Sequence, residues 1–203
     1  MMHREKFYID TRVLKTQRAL KDAVLELLKS HVYDDVDVTM IVHKAGVTRS
    51  TFYNHFSDKN ALLDELITGK MQELEAAYRA PFITTRPFIL SRLPASEVEL
   101  FDNILKNADY YSTIFNSNLS ALIERRMVDS FKKINLEEIN VKDDFVRSDL
   151  IAGYLAYGTV GLITEWVREG CKYEAKFMNA QVLELMKIAP CKTFHIKLSR
   201  KDG

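Results

Sequence analysis

Between residues 39 and 56 the chain is punctuated in a way that leaves few folds open. Thr39, Met40, Ile41 and Val42 begin a short segment with an apolar side, Gly46 breaks it, and Thr48 opens a second one, Arg49 to Phe56. Threonine can cap free N–H groups at a helix start, and glycine ends helices. The order cap, apolar run, glycine, cap, apolar run predicts two short helices, Thr39–Ala45 and Arg49–Phe56, with Thr39 and Thr48 as N-caps. Neither helix can bury its apolar side alone. The stretch Thr11–Lys29 supplies a partner, because Leu14, Leu20, Val24, Leu27 and Leu28 recur at helical spacing. A longer helix packed across two short ones joined by a glycine turn is the geometric minimum of a helix-turn-helix.

The second short helix has two chemically different sides. Phe52 and Phe56 lie four residues apart and share a face, which predicts burial. Arg49, Ser50, Tyr53 and Asn54 occupy another face. A face of donors, acceptors and one ring suits the edges of base pairs in a major groove. The net charge of +1 does not oppose that reading, since a local basic patch is what phosphates meet. Arg4, Lys6, Arg12, Lys15, Arg18 and Lys21 stand against Glu5 and Asp10 alone in the first 21 residues, while Asp34, Asp35 and Asp37 cluster apart. Ordinary readings stand beside the functional ones. Tyr53 can pack the motif as a half-buried ring, His55 can cap neighbouring backbone, and Arg49 can hold a phosphate in place of a base.

The remainder reads as helix. Ser57 opens a helix with Leu62, Leu63, Leu66, Ile67, Met71 and Leu74 on its stripe, expected to reach residue 79. Pro81, Pro87 and Pro94 then predict a non-helical connector over residues 80–95. Ser96 with Glu99 has the form of a capping box that starts a helix to about Asn107. Further helices are expected over Tyr110–Phe115, Leu119–Lys133, Asp143–Glu169 (closed by Gly170) and Glu174–Ile188. The fold class is therefore all-α. The organisation expected is an N-terminal three-helix domain over residues 1–56, then a helical domain over residues 57–203.

Composition narrows the function classes. With 47% hydrophobic and 28% charged residues and few glycines or prolines, the chain is an ordinary globular, helix-leaning one. Cys171 and Cys191 are read as reduced thiols. The N-terminus lacks an apolar signal core, and no apolar run approaches the roughly 20 residues of a membrane span. The nearest, Ile151–Val167, contains Glu165 and three glycines and is read as a core helix. A cytoplasmic protein without membrane partners is the expectation. The sequence contains no phosphate-cradling glycine loop, nucleophile elbow or paired metal-ligand motif. His31, Asp34, Asp35 and Asp37 form its densest His/acid cluster, with the spacing of no metal loop. No catalytic residue, metal or cofactor is expected.

The run from Val38 to Leu63 resembles the TetR family of bacterial regulators. The resemblance rests on Ala45-Gly46-Val47, Tyr53-Asn54-His55-Phe56, Lys59 and Leu62-Leu63 in that order, and covers roughly the first third of the chain. The chain departs from the family where a glycine often follows the first helix, since His31-Val32-Tyr33 stands there. The resemblance implies that Thr39 holds a phosphate, that Thr48, Arg49 and Ser50 lie nearest the base edges, and that Arg49 pairs with a guanine. It places Tyr53 on a phosphate or a thymine methyl, His55 and Lys59 on phosphates, and Lys44 and Asn54 within the contacting set. The family dimerises through its last two long helices, here Asp143–Glu169 and the one from Glu174. Gly153, Gly158 and Gly161 then serve close backbone approach, within the subunit or across the dimer. The segment Tyr157–Gly170 is similar to dihydroxyacetone-kinase operon regulators, some of which are activators working with another protein.

The resemblance further implies a homodimer that binds a palindromic site in double-stranded DNA, represses transcription, and is controlled by a small molecule or partner protein. The alternative is a protein-interaction adaptor or co-activator that keeps the helix-turn-helix fold. Candidate effector contacts are Phe101, Leu105, Tyr110, Tyr111, Phe115, Phe131, Phe145, Tyr154 and Tyr157; each also fits an ordinary core position.

Overall fold

The computed structural model describes residues 11–84, 92–141, 147–188 and 194–196. The chain divides into two compact units, Met1–Thr68 and Gly69–Gly203.

The first unit holds α1 (Thr11–Leu28), a 3-10 turn over Tyr33–Asp35, α2 (Val38–Ala45), α3 (Arg49–Tyr53) and the start of α4 (Lys59–Thr84). Its core is built by the expected apolar positions. Leu20, Val24, Ile41, Phe52 and Leu62 are fully buried, with Leu28, Val42, Phe56, Leu63 and Leu66 around them. Leu14, expected on the buried stripe of α1, is 51% exposed, one turn beyond the part of α1 that has a core to cover. Two helix starts differ from expectation. Asp37 caps α2, its carboxylate accepting the Met40 N–H at 2.8 Å, and Thr39 lies inside the first turn. Asp58 caps α4, accepting the N–H groups of Asn60 and Ala61 at 2.8 Å each. Helix α3 is shorter than the expected Arg49–Phe56, although Phe56 still packs beside Phe52.

The second unit holds the rest of α4, a 3-10 turn over Ala95–Glu97, α5 (Leu100–Lys106), α6 (Ala108–Phe115), α7 (Ser120–Glu138), α8 (Ser148–Arg168) and α9 (Ala175–Ile188). Helix α4 does not stop at residue 79. It passes through Pro81 to Thr84, where the proline, having no N–H, gives up the hydrogen bond to the Ala77 carbonyl. Residues 85–91 of the expected connector, and Cys191, lie outside the described residues. The Ser96/Glu99 capping box does not form. Helix α5 starts at Leu100 instead, and the side chain of Asn179 on α9 accepts the Phe101 N–H at 2.9 Å. A cap supplied 78 positions away carries no local signal. Three residues, Ile139–Val141 (β1), pair antiparallel with Phe194–Ile196 (β2), an addition to the helical frame that the tail gave no reason to expect.

A polar thread runs through this second core. The Tyr78 ring stacks on Phe131 at 3.9 Å between centroids, and its hydroxyl donates to Asn135 Oδ1 at 2.8 Å. Asn135 in turn donates to the Ala152 carbonyl at 3.2 Å. Polar groups this deep are tolerated only when bonded, so the thread fixes the register of α4, α7 and α8. Gly170 ends α8 with φ 75°, as expected of a helix-closing glycine. Helix α8 is long and apolar enough to span a membrane by length and composition alone, but 56% of its most apolar window is buried within the protein.

Burial pushes the Tyr78 phenol up to about 12, against 10 for a free tyrosine. Between those values the unfolded chain releases a proton that the folded chain keeps, so stability falls as pH rises through this window. The slope is about 1.4 kcal/mol per pH unit for this one group. Denaturant unfolding followed from pH 8 to 12 should show Tyr78→Phe losing stability less steeply than the parent by about one proton. At pH 8 the variant should be weaker by roughly 1–3 kcal/mol, because Asn135 loses its donor.

Candidate nucleic-acid interface

The geometry around α3 starts from two helix ends. Gly46 adopts φ 67° after α2, which lets Val47 N–H reach the Val42 carbonyl at 3.0 Å and Gly46 N–H that of His43 at 3.3 Å. Such closure needs a left-handed residue, the conformation glycine adopts without strain. Two residues later Thr48 caps α3 as expected, its hydroxyl oxygen accepting the Thr51 N–H at 3.1 Å. Phe52 points inward with no exposed surface, and Phe56 lies 5.9 Å from it, ring to ring.

Anchoring that side turns the other to solvent. Thr48, Arg49, Ser50, Tyr53 and Asn54 are exposed, as are Thr39 and Lys44 on α2, while His55 is half-buried. Residues 38–56 contain no Asp or Glu, so no carboxylate of this segment repels a polyanion. The side chains of Thr39, Lys44, Ser50, Asn54 and His55 hydrogen-bond to no other described residue. His55 therefore does not cap neighbouring backbone; it packs 6.4 Å from the Phe56 ring. Tyr53 combines its two readings: its ring meets Phe52 edge-on at 5.4 Å, yet 49% of the residue is exposed. The Arg49 guanidinium lies 5.9 Å from the Tyr53 ring centroid, which biases its rotamers without consuming its N–H groups.

Lys59, expected at a phosphate, is engaged within the protein. Its ammonium donates to three backbone carbonyls, those of Tyr33 at 3.1 Å, Asp34 at 3.0 Å and Val36 at 2.7 Å, and sits 4.8 Å from the Tyr33 ring centroid. A lysine has three donors, and all are spent inside the protein. Asp37, Asp58 and Tyr33 are structural determinants that sequence reasoning missed. The first two were visible as acids just ahead of helix starts; Tyr33 had no local signal. Asp37 is used as a cap, and the described residues contain no group of three or more His, Cys, Asp or Glu arranged for a metal.

The second unit contains a small apolar cleft of about 40 Å³, partly open to solvent and lined among others by Tyr78 and Phe82 of α4, Leu93, Leu100 of α5, and Val182 and Met186 of α9. None of the expected effector contacts lines it. Phe101, Tyr110, Tyr111, Phe115 and Phe131 are packed core, with Phe131 one layer behind the Tyr78 ring. Leu105, Tyr154 and Tyr157 are exposed, and Phe145 lies outside the described residues. Helical periodicity marks which side chains face inward; it does not distinguish a packed interior from a hollow one. On α8 the outward face carries Leu150, Tyr154 and Tyr157, each more than 60% exposed, along with Gly158 and Gly161. A methyl group added at Gly153, Gly158 or Gly161 would meet no atom of another described residue within 4 Å, the helix's own backbone aside, so these glycines serve no close approach among the described residues.

The caps are open to direct test. Asp37→Ala leaves the Met40 N–H without its acceptor and should lower stability by about 1 kcal/mol, read by denaturant unfolding. Asp37→Asn keeps the acceptor and should recover most of that loss.

The comparisons with known proteins agree with this geometry. Residues 20–66 match the family model described as bacterial regulatory proteins, tetR family, and residues 96–188 match that of a transcriptional regulator C-terminal region. Over 67 residues, 32% of the chain, it is 34% identical to the uncharacterized HTH-type transcriptional regulator YxbF of Bacillus subtilis (strain 168). Over 59 residues, 29% of the chain, it is 32% identical to the HTH-type dhaKLM operon transcriptional activator DhaS of Lactococcus lactis subsp. lactis (strain IL1403). These matches span 18% and 32% of the two relatives' own lengths. In fold, the chain is similar to a solved dihydroxyacetone kinase operon activator DhaS, with a TM-score of 0.57 at 18% identity, covering 85% of this chain and 94% of that one. With a matching N-terminal model over the helix-turn-helix and a matching C-terminal model over α5–α9, the chain belongs to the TetR family of transcriptional regulators.

Proposed function

We propose that the protein is a dimeric repressor that reads a palindromic DNA site with α3 and is released by an apolar effector. The observation that carries the DNA reading is the anchored helix: Phe52 fixes α3 from below, and its outer side presents the exposed Arg49 beside Ser50 and Asn54, whose side chains hydrogen-bond to no other described residue. Thr48, Arg49 and Ser50 are placed to meet base edges, Arg49 as a bidentate donor to guanine. Thr39, Lys44 and His55 serve phosphates, Tyr53 a phosphate or a thymine methyl, and Asn54 completes the contacting face. The family's members are regulators and not enzymes, and this chain takes the same part, in the cytoplasm.

Dimerisation is assigned to α8 and α9. Leu150, Tyr154 and Tyr157 on α8 and Phe177 and Leu185 on α9 leave a large apolar surface in water. Such patches mark interaction sites, and Gly158 and Gly161 beside the tyrosines allow a partner backbone to come close. Tyr154 and Tyr157, effector candidates by sequence alone, fit this role instead. The effector is assigned to the cleft beside Tyr78, which touches α4, α5 and α9 together. Its lining suits a small apolar molecule without a charged group inside the cleft. A ligand with different affinities for two arrangements of these helices shifts the population between them.

Selection from a random duplex pool by the purified protein tests the DNA reading, and enrichment of a palindrome is the expected outcome. On the selected duplex, Arg49→Ala should lose about 1–3 kcal/mol of binding for each half-site and relax preference at one base pair of each. Parental affinity and parental discrimination between selected and scrambled duplexes in Arg49→Ala would remove α3 from the contact. For the dimer, Gly158→Leu should leave each subunit folded by circular dichroism yet shift sedimentation toward monomer. A variant that stays fully dimeric at low micromolar concentration would place the interface elsewhere.

A further inference from the structure

The side chain of Lys59 stands at a junction of three elements. It is the first residue of α4, and its ammonium closes on the carbonyls of Tyr33, Asp34 and Val36, which converge from the 3-10 turn between α1 and α2. Tyr33, buried with 6% exposed, lies under the ammonium, and its hydroxyl donates to Asn60 Oδ1 at 3.0 Å. The neighbouring residues close a short chain of dependence. Val36 is fully buried, Asp37 follows it and caps α2, and Thr39 stands exposed in the first turn of that helix. The connection contains no glycine, so its path is not a product of backbone freedom.

We infer that Lys59 is a positioning residue for DNA binding: it clamps the α1–α2 turn, sets the entry of α2, and so places Thr39 against a phosphate without touching DNA itself. The inference rests on the proposed reading of the α2–α3 face as the DNA-contacting one. The chemistry favours lysine specifically. Three carbonyl oxygens around one point match the three N–H bonds of a tetrahedral ammonium, whereas the planar fork of arginine spreads its donors over a wider plane. A lysine held at a DNA phosphate has the opposite preference, because guanidinium binds phosphate at least as well.

The contrast defines the experiment. Binding to the selected palindromic duplex is titrated across salt concentrations for the parent, Lys59→Arg, Lys59→Met and Arg49→Ala. A clamp predicts that Lys59→Arg and Lys59→Met both weaken binding about tenfold or more while the slope of log affinity against log salt stays at the parental value. A direct phosphate contact predicts near-parental binding by Lys59→Arg and a slope reduced by about 1.8 in Lys59→Met, about 0.9 for each subunit of the dimer, and this result would overturn the inference. A cycle with Thr39→Val adds a readout that general destabilisation would not move. In the Lys59→Met background the effect of Thr39→Val should shrink, while that of Arg49→Ala should persist; equal additivity at both positions would contradict the placement of Thr39 through the turn.

Should the Lys59 variants fail to fold, the parent protein answers the same question. The 15N signal of a clamped Lys59 ammonium should be visible through slow proton exchange in the free protein and should keep its position when the duplex is added. An ammonium seen only with DNA, or shifted by it, would refute the clamp. Loss of binding by none of the variants, Arg49→Ala included, would instead count against the α3 reading itself, and the ammonium signal would then decide separately whether the clamp exists.

Discussion

A helix of five residues has no stability of its own, because its few backbone hydrogen bonds do not repay the cost of nucleation. Everything that α3 does depends on its being held from outside. Phe52 supplies the hold, fully buried between the edge of Tyr53 and the ring of Phe56. Thr48 and Gly46 fix where the helix begins and how it leaves α2. With Phe52 and Phe56 committed to the core, and Thr48 and Tyr53 partly engaged in holding the helix, Ser50 and Asn54 carry no such duty among the described residues. That division lets Ser50 and Asn54 keep unspent hydrogen-bonding groups on a surface where a purely structural helix would pair them.

This region was legible in the sequence because its determinants are local. A glycine after an apolar run, a threonine three residues ahead of the N–H it caps, and two phenylalanines four apart state their roles within a few positions. Asp37 and Thr39 show the limit of such a code. Both are competent caps two residues apart, and the acceptor that reaches Met40 N–H is settled by the path of the preceding turn. Lys59 shows a harder limit. A lysine at a helix start near DNA reads as a phosphate ligand, and only the folded path of residues 33–36 reveals three carbonyls converging on it.

The second unit was legible as a helical frame and opaque in detail. The segment Ile151–Val167 was read as a core helix, and Ile151, Ala156, Ile163 and Val167 are buried. What periodicity could not supply was the difference between inside and hollow. The aromatic candidates within the described residues are packed core or exposed surface, while the cleft opens between Phe82, Leu100 and Val182, three residues with no distinctive spacing. Pro81 misled because three prolines read together as a break, whereas α4 absorbs the first of them at the cost of one backbone hydrogen bond, that to the Ala77 carbonyl. The outward tyrosines of α8 were seen, but their destination depends on a surface that a single chain leaves open.

The central claim is that two copies of α3 enter successive major grooves on one face of the duplex. Guanine N7-methylation interference and phosphate-ethylation interference on the selected duplex test it most directly. The account requires two symmetric patches of major-groove interference whose centres lie one helical turn apart, about 34–36 Å, or a near multiple, each flanked by ethylation-sensitive phosphates. A single unsymmetrical patch, or interference confined to the minor groove, would contradict it.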